Sequence, residues 1–279
     1  MKITKRIIAL LLTVILAASV ISGCSAKPEK AEETKTQETE KAEETAAQTT
    51  EATEATETAQ KSETADLYFT TQEVRESPKW VTDLEATKDA DQLIVVAGVD
   101  KTTAYVTMHE KDKDGKWHQI IATPGFIGLD GLGNANINDC YTPVGTFTID
   151  KAFGLADDPG CQMEYTKVDE NYYWSGDDKH NFNQLVNIKD VPDLDTENSE
   201  HIADYDYAYQ YVLNMGYNSE CKKEKGFAFF FHCFRVNRTY TGGCVGVPEN
   251  IMKFIMQHIK PDCKITIDSL KNMKGDLDA

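Results

Sequence analysis

A succession of short apolar runs, separated by turn residues, constrains the fold of this chain most strongly. Leu93–Val99 is rich in β-branched residues, as a buried strand is. Thr103–Glu110 and Trp117–Ala122 follow it as further strand candidates, and the Asp114-Gly115 pair between them is one that tight hairpin turns prefer. Strands of this length and spacing predict a mainly β fold, a sandwich or barrel with a few short helices.

Further along the chain the sequence predicts more strands and two helices. Pro248 is expected to begin a helix that runs to Ile259, because proline is favoured in the first helical turn. Ser77–Ala90 has the pattern of a weak amphipathic helix. Tyrosines alternate with other residues within Glu200–Val212, which predicts a strand. Other strands are predicted around Thr142–Ile149, Ala152–Leu155, Tyr172–Trp174, Phe182–Val186, Phe227–Phe231 and Lys264–Ile267.

The beginning of the chain has the pattern of an export signal. Basic residues precede an apolar run from Ile7 to Val20, which is shorter than a membrane-spanning helix. The run leads through small residues to Cys24, as in a bacterial lipobox. We expect residues 1–23 to be a lipoprotein signal peptide and Cys24 to carry the lipid of the mature protein. The alternative is an ordinary signal peptide or an uncleaved anchor.

Residues 24–66 are predicted to form a disordered, acidic tether. The segment consists mainly of Thr, Glu, Ala and Lys and has no aromatic residue, so it buries too little apolar surface to fold. Residues 67–91 are expected to be an N-terminal extension of the main domain, 92–279. The formal net charge of the chain is −17, which argues against nucleic acid as a partner.

A histidine and a cysteine near the C-terminal end have the layout of a thiol nucleophile with its base. His232 ends an aromatic run, and Cys244 follows two glycines, Gly242 and Gly243. Small residues before a nucleophile let a substrate carbonyl approach closely and leave backbone N–H groups available to an oxyanion. A nearby imidazole is needed because an unassisted thiol is mostly protonated at neutral pH.

Two structural interpretations of Cys244 remain open at this point. In an exported chain Cys244 can be half of a disulfide. A zinc site built from His232, Cys233 and Cys244 is the other, although the sequence has no paired Cys-x-x-Cys spacing to support it. Apart from Cys24 and Cys244 the number of cysteines is odd, so at least one of them stays unpaired: Cys140, Cys161, Cys221, Cys233 and Cys263.

Taken together in this order, the motifs resemble the YkuD-type L,D-transpeptidase family over roughly Leu93 to Leu270. The motifs are Thr142–Phe147, Ala152–Gly154, Phe182-Asn183, His232 and Gly243–Val245. The resemblance implies a mostly β catalytic domain at 92–279 that acts on the peptide stems of bacterial peptidoglycan. Together with the N-terminal export signal, the resemblance predicts a membrane-anchored lipoprotein that faces the cell wall and uses no metal or cofactor.

The reaction implied by the resemblance is a two-step acyl transfer. Cys244 attacks the carbonyl of a tetrapeptide stem between its third residue and the terminal D-alanine, and D-alanine leaves. An amine of a neighbouring stem then takes the acyl group from the thioester, which forms a 3→3 cross-link. His232 acts first as base and then as acid.

The resemblance also supplies candidates for the rest of the site. The amides of Gly243 and Cys244 are the expected oxyanion donors, and Gly242 and Thr241 are further binding candidates. Tyr217 is a substrate-binding candidate because it lies shortly before the predicted catalytic strand. The group that orients the imidazole is expected to be a backbone carbonyl or a small polar residue just after the histidine.

Departures from the family pattern leave the second half of the reaction open. The usual Ser/Thr-His-Gly-Cys signature is Thr241-Gly242-Gly243-Cys244 here, without the second histidine. Gly246 stands where the family often has Arg or Asn. The alternatives are therefore an L,D-carboxypeptidase, in which water accepts the acyl group, and a non-catalytic lipoprotein that binds the wall.

Overall fold

The computed structural model describes residues 73–235 and 237–277. The predicted signal peptide, the predicted lipidation site Cys24, the predicted tether at 24–66 and the first residues of the predicted extension lie outside the described residues. The part of the chain that is described contains no helix long and apolar enough to cross a membrane.

The fold is mainly β, as predicted, and its largest sheet curls into a half-barrel. The described strands are β1 (Arg75–Glu76), β2 (Gln92–Gly98), β3 (Thr103–Lys111), β4 (Trp117–Phe126), β5 (Gly131–Gly133), β6 (Tyr141–Pro143), β7 (Gly145–Thr148), β8 (Lys151–Gly154), β9 (Tyr165–Lys167), β10 (Tyr172–Trp174), β11 (Leu185–Asn187), β12 (Glu200–His201), β13 (Val212–Asn214), β14 (Phe230–Cys233), β15 (Val245–Val247) and β16 (Lys264–Ser269). The α-helices are α1 (Lys79–Thr82) and α2 (Glu249–His258), and 3₁₀ turns occupy Glu85–Lys88, Ile202–Tyr205, Ala208–Gln210 and Lys223–Lys225.

The strand order of the large sheet is β7-β16-β2-β3-β4-β15-β14-β13-β8-β9, with β1 added to β4. A three-stranded sheet, β11-β10-β12, and a two-stranded sheet, β5-β6, complete the fold. The sheet joins strands from both halves of the domain, because β4 pairs with β15 and β13 pairs with β8. β14, which contains His232, and its neighbours β13 and β15 therefore lie in the middle of the sheet.

The β2-β3-β4 meander is formed as the sequence predicts. β3 and β4 are antiparallel, and Gly115 takes a φ of +81° in the turn between them. That left-handed conformation suits glycine, which has no Cβ to clash. β4 is longer than predicted and continues to Phe126, where it meets Gly246 of β15.

Helix α2 connects β15 to β16 and covers one face of the large sheet. Pro248 is its N-cap residue, in agreement with the prediction. Its buried face consists of Ile251, Met252, Ile255 and Met256, spaced three or four residues apart as on one side of an amphipathic helix. β16 then adds in parallel to β2, which makes the final predicted strand a central one.

Five predictions of secondary structure are wrong in whole or in part. The strand expected over Phe227–Phe231 begins only at Phe230, and the strand expected over Phe182–Val186 begins only at Leu185. The strand expected over Thr142–Ile149 is divided between β6 and β7, which belong to different sheets.

The other two predictions fail over most of their length. The helix expected over Ser77–Ala90 is only the four-residue α1 followed by a 3₁₀ turn. The strand expected over Glu200–Val212 consists of the short β12, two 3₁₀ turns and the beginning of β13. Tyr205 and Tyr209 stack on each other with ring centroids 4.8 Å apart, whereas Tyr207 is 65% exposed. In a strand Tyr207 would share a face with Tyr205 and Tyr209, whereas here only the two residues four apart share a side, as in a helical turn.

A cluster of aromatic side chains forms a separate small core on one face of β14. Phe230 makes edge-to-face contacts with Phe153 and Trp174, at centroid distances of 5.4 and 4.8 Å. Cys244 is part of the same buried cluster. Aromatic rings packed in this way hold each other in fixed orientations, so the cysteine sits on a rigid support.

Candidate active site

Parallel pairing of β14 with β15 brings His232 and Cys244 together. The register sets Phe231 opposite Val245 and His232 opposite Gly246, so Cys244, just before β15, is level with Phe230. Side chains two residues apart on a strand point to the same face of a sheet. Phe230, His232 and Cys244 therefore project from one face, with the imidazole diagonally ahead of the thiol.

The Cys244 sulfur is held by backbone groups of the segment before β14. Sγ accepts a hydrogen bond from the Phe230 N–H at 3.3 Å and donates to the Ala228 carbonyl at 3.3 Å. The amide of Ala228 is in turn bound by Asn183 Oδ1 at 3.2 Å, which also accepts from the Trp174 indole at 2.8 Å. The Asn183 of the family-like motif thus positions the backbone that holds the Cys244 thiol.

Two threonine hydroxyls fix the main chain at Cys244. Thr241 Oγ1 donates to the Cys244 carbonyl at 2.6 Å, and Thr142 Oγ1 donates to the same oxygen at 3.1 Å. Thr241 Oγ1 also accepts from the Gly243 N–H at 3.2 Å. Thr142 belongs to the Thr-Pro motif, so two motifs far apart in sequence meet at one carbonyl.

Gly243 cannot be replaced by another residue without strain. Its φ of +135° is rare for residues with a side chain, and a Cβ would lie 2.8 Å from the Phe229 ring and 3.0 Å from the Tyr141 carbonyl. At Gly242 a Cβ would meet nothing within 4 Å. The turn before Cys244 therefore requires only the second of its two glycines for steric reasons.

A backbone carbonyl orients His232. Its Nδ1 lies 2.7 Å from the carbonyl oxygen of Cys233. Because a carbonyl only accepts, Nδ1 carries the proton and Nε2 is left as the acceptor. Burial and, to a smaller extent, the charge of Arg235 lower the pKa of His232 to about 4, although that hydrogen bond acts in the opposite direction. The ring is therefore neutral at pH 7.

The thiol of Cys244 is also uncharged at rest. Burial, followed by the negative charge of Glu200, raises its pKa to about 12, and the Phe230 amide and the Tyr209 hydroxyl only partly oppose this. A neutral imidazole and a neutral thiol on one face of the sheet suit general-base chemistry rather than a preformed thiolate–imidazolium pair.

A cavity of about 370 Å³ exposes the cysteine and the histidine to a common space. Of the binding candidates, Thr241 and Gly242 also line it. Gly243 is not among the lining residues, and its N–H is taken by Thr241. Tyr217 is not brought to the cavity either: its hydroxyl donates to the Ala135 carbonyl at 2.8 Å, and its ring packs against Phe229.

Residues that the sequence analysis did not single out complete the walls of the cavity. They include Glu200, Tyr205, Tyr209, Arg235 and Arg238. The two arginines follow β14 closely enough to be suspected from chain order. The glutamate and the tyrosines are more than twenty residues before it, and only the folded sheet brings them near.

The described cysteines are all free: Cys140, Cys161, Cys221, Cys233, Cys244 and Cys263. The disulfide interpretation of Cys244 is therefore wrong in this structure. Within 73–235 and 237–277, no three side chains of His, Cys, Asp or Glu are grouped so that they can hold a metal ion.

The comparison with family models agrees with the architecture. Residues 91–267 match the model of the YkuD family, the L,D-transpeptidase catalytic domain. Among solved structures, the helical cell shape determining protein Pgp2 from Campylobacter jejuni is similar, with 15% sequence identity, a TM-score of 0.36 and coverage of 68% of this chain. The alignment covers 54% of that protein, so this chain spans about half its length. No curated protein matches significantly. The family match extends over more than half of the 279 residues, and the chain belongs to the YkuD family of L,D-transpeptidase catalytic domains.

Proposed function

We propose that this protein is a cysteine-dependent peptidoglycan L,D-transpeptidase that forms 3→3 cross-links. The observation that carries the proposal is the shared cavity of Cys244 and His232, in which Nε2 of the imidazole is the available proton acceptor. A cavity of about 370 Å³ is within the size range of small-molecule sites and suits the end of a stem peptide.

In the first half-reaction His232 acts as base and Cys244 as nucleophile. Nε2 takes the thiol proton as Sγ attacks the carbonyl carbon of the third stem residue, since the thiolate is not formed beforehand. The C–N bond to the terminal D-alanine then breaks, and the imidazolium gives its proton to the departing amine. The products are a thioester on Cys244 and free D-alanine.

The Cys244 amide is the better candidate for an oxyanion donor. Gly243, expected to share this role, donates its N–H to Thr241 Oγ1 in the free protein. The two threonine hydroxyls on the Cys244 carbonyl keep the adjoining peptide in place. An oxyanion donor that is held in advance costs no reorganisation at the moment of attack.

In the second half-reaction an amine of a neighbouring stem displaces the sulfur. If water takes the place of the amine, the enzyme is an L,D-carboxypeptidase. A wall-binding protein without turnover is the third possibility, but it gives no reason to keep a neutral imidazole with an unprotonated Nε2 in the same cavity as a thiol.

The proposed location is outside the cytoplasm, on a lipid anchor at Cys24. A flexible tether of about forty residues has a root-mean-square span of roughly 35 Å and a fully extended reach of about 140 Å. Such a tether lets a membrane-anchored domain reach peptidoglycan stems at some distance above the bilayer. Neither the tether nor the anchor requires a partner protein.

Incubation with purified tetrapeptide muropeptides tests the proposal. We expect dimers and free D-alanine from the wild type and neither product from Cys244→Ala. Cys221→Ala is the matched control, because Cys221 is a half-buried free cysteine outside the cavity and its replacement should leave the products unchanged. Tripeptide monomers without dimers would show a carboxypeptidase, and unchanged product formation by a folded Cys244→Ala variant would contradict the site.

A further inference from the structure

Glu200 is a carboxylate on the wall of the catalytic cavity. Its Oε1 accepts a hydrogen bond from the Tyr209 hydroxyl at 2.5 Å. The Tyr209 ring contacts the His232 ring edge to face, with centroids 5.4 Å apart, and its hydroxyl interacts with the Cys244 thiol. One buried tyrosine therefore links Glu200 to both members of the catalytic pair.

The charge of Glu200 opposes the first half-reaction. A carboxylate near a thiol disfavours the thiolate, and Glu200 is the largest electrostatic contribution to the raised pKa of Cys244. This opposition ends when Cys244 is acylated, because a thioester sulfur carries no negative charge. A role for Glu200 in catalysis therefore belongs to the second half-reaction.

A second cavity, of about 770 Å³, adjoins the first, and Glu200 lines both. Tyr205 and Phe227 are also shared between them. The second cavity has five further carboxylates against two lysines and one histidine, so it attracts cations. The five are Asp177, Asp178, Asp193, Asp195 and Glu197. Glu200 thus lies where the acidic second cavity meets the first cavity, which contains Cys244.

The surroundings of Glu200 suit a group that exchanges protons near neutral pH. Burial raises its pKa to about 7, while the hydrogen bond from Tyr209 and the charge of Arg235 act in the opposite direction. Tyr205 and Cys244 are the other titratable groups that interact with it. General bases work best when their pKa is near the pH of the reaction.

We propose that Glu200 is a further catalytic residue, which binds the ammonium group of the acceptor stem where the two cavities meet and takes a proton from it. This inference rests on the proposed function, since it needs a thioester on Cys244. The carboxylate becomes a carboxylic acid, and the ammonium becomes a neutral amine with a free electron pair.

The rest of the step follows from that transfer. The amine nitrogen attacks the thioester carbon, the C–N bond forms and the C–S bond breaks. The second proton of the amine passes through His232 to the departing sulfur, which restores the thiol. Glu200 returns its proton to water when the cross-linked product leaves.

Glu200→Gln tests the proposal, because glutamine keeps the size of the side chain and an oxygen for the Tyr209 hydrogen bond. The acyl-enzyme is formed with a tetrapeptide stem, and its decay is followed with two acceptors. One is a stem peptide with an alkylamine side chain, which is an ammonium at pH 7, and the other is hydroxylamine, which is neutral. We expect transfer to the stem peptide to slow at least about 100-fold and transfer to hydroxylamine to change much less.

Acylation by the donor stem should proceed in Glu200→Gln at the wild-type rate or faster. Glu110→Gln is the control for loss of a carboxylate, since Glu110 pairs with Lys260 at 2.6 Å outside both cavities. If Glu200→Gln does not fold, Glu200→Asp replaces it, and transfer to the stem amine should fall while acylation is retained.

Equal slowing with both acceptors, or none, would overturn the role of Glu200 and leave the proposed function intact. Absence of an acyl-enzyme in the wild type would overturn the proposed function, and the role of Glu200 with it.

Discussion

At the scale of single residues, the proposed nucleophile is a protonated thiol in the free protein. Burial raises the pKa of Cys244 to about 12 and lowers that of His232 to about 4, so neither group is charged at pH 7. This differs from cysteine enzymes in which a histidine stabilises the thiolate in the resting state. In the proposed reaction the thiol loses its proton during the attack itself.

This resting state predicts slow alkylation of Cys244. We expect iodoacetamide to modify Cys244 slowly at pH 7 and progressively faster as the pH rises toward 10, with no plateau between. Peptide mapping after timed quenching measures each cysteine separately, and the half-buried Cys140, Cys161 and Cys221 provide internal references. Rapid, pH-independent modification of Cys244 between pH 6 and 8 would show a preformed thiolate instead.

Local patterns were sufficient to predict the pair but not the whole cavity. His232 and Cys244 are recognisable because glycines and an aromatic run adjoin them in sequence. Glu200 and Tyr209 reach the thiol only through pairing of β13 with β14 and the turns before it. Tyr217 was a candidate through chain order alone, and its hydroxyl is directed to Ala135. The local sequence does not distinguish Glu200 and Tyr209, which line the cavity, from Tyr217, which does not. The position of each depends on contacts between distant segments.

At the scale of elements, predictions are correct where local preference agrees with the contacts between distant segments, and wrong where the two differ. The β2-β3-β4 meander and α2 have periodic apolar residues and a suitable turn or cap, so local preference and tertiary packing agree. In the segment around Tyr205–Tyr211 the alternation of tyrosines suggested a strand. Packing of Tyr209 against Phe230 and His232 decides the conformation there, and two 3₁₀ turns result.

The turn between β14 and β15 provides a test with a matched pair of glycines. We expect Gly243→Ala to lower the free energy of unfolding by roughly 2–5 kcal/mol, because the positive φ and the contacts with Phe229 and Tyr141 both cause strain. Gly242→Ala, where a Cβ meets open space, should change it by less than about 0.5 kcal/mol. Denaturant titration of both variants measures the difference, and equal effects would refute the described turn.

At the scale of the whole molecule, buried histidines make stability depend on pH. His109 lies in the interior, with Nδ1 2.8 Å from Ser77 Oγ and Nε2 2.7 Å from Thr107 Oγ1. Burial, and then the charge of Arg75, lower its pKa from 6.5 to about 3. The unfolded chain therefore takes up a proton below pH 6.5 that the folded protein refuses until about pH 3. The stability that comes from keeping His109 neutral is complete above pH 6.5 and is lost as the pH falls from 6.5 to about 3.

The substitution His109→Gln should reduce the loss of stability that occurs as the pH falls below 6.5. A pH of 5 is 1.5 units below the ordinary histidine pKa of 6.5. At this pH the free energy of unfolding of the wild type is expected to be about 2 kcal/mol lower because of His109. The variant should be less stable at pH 7, through its imperfect hydrogen bonds, but its stability should fall less between pH 7 and pH 5. Denaturation curves of both proteins at the two pH values give the comparison. An identical decrease in both would contradict a neutral, buried His109.

The most direct measurement of the proposed chemistry is the intact mass of the protein after brief exposure to a tetrapeptide stem. We predict one adduct, with the mass of the stem without its D-alanine, mapped to Cys244 and absent from Cys244→Ala. A carbapenem should likewise add once, at Cys244. D-Alanine release without any adduct on Cys244, or an adduct on another cysteine such as Cys221, would contradict a thioester at this site.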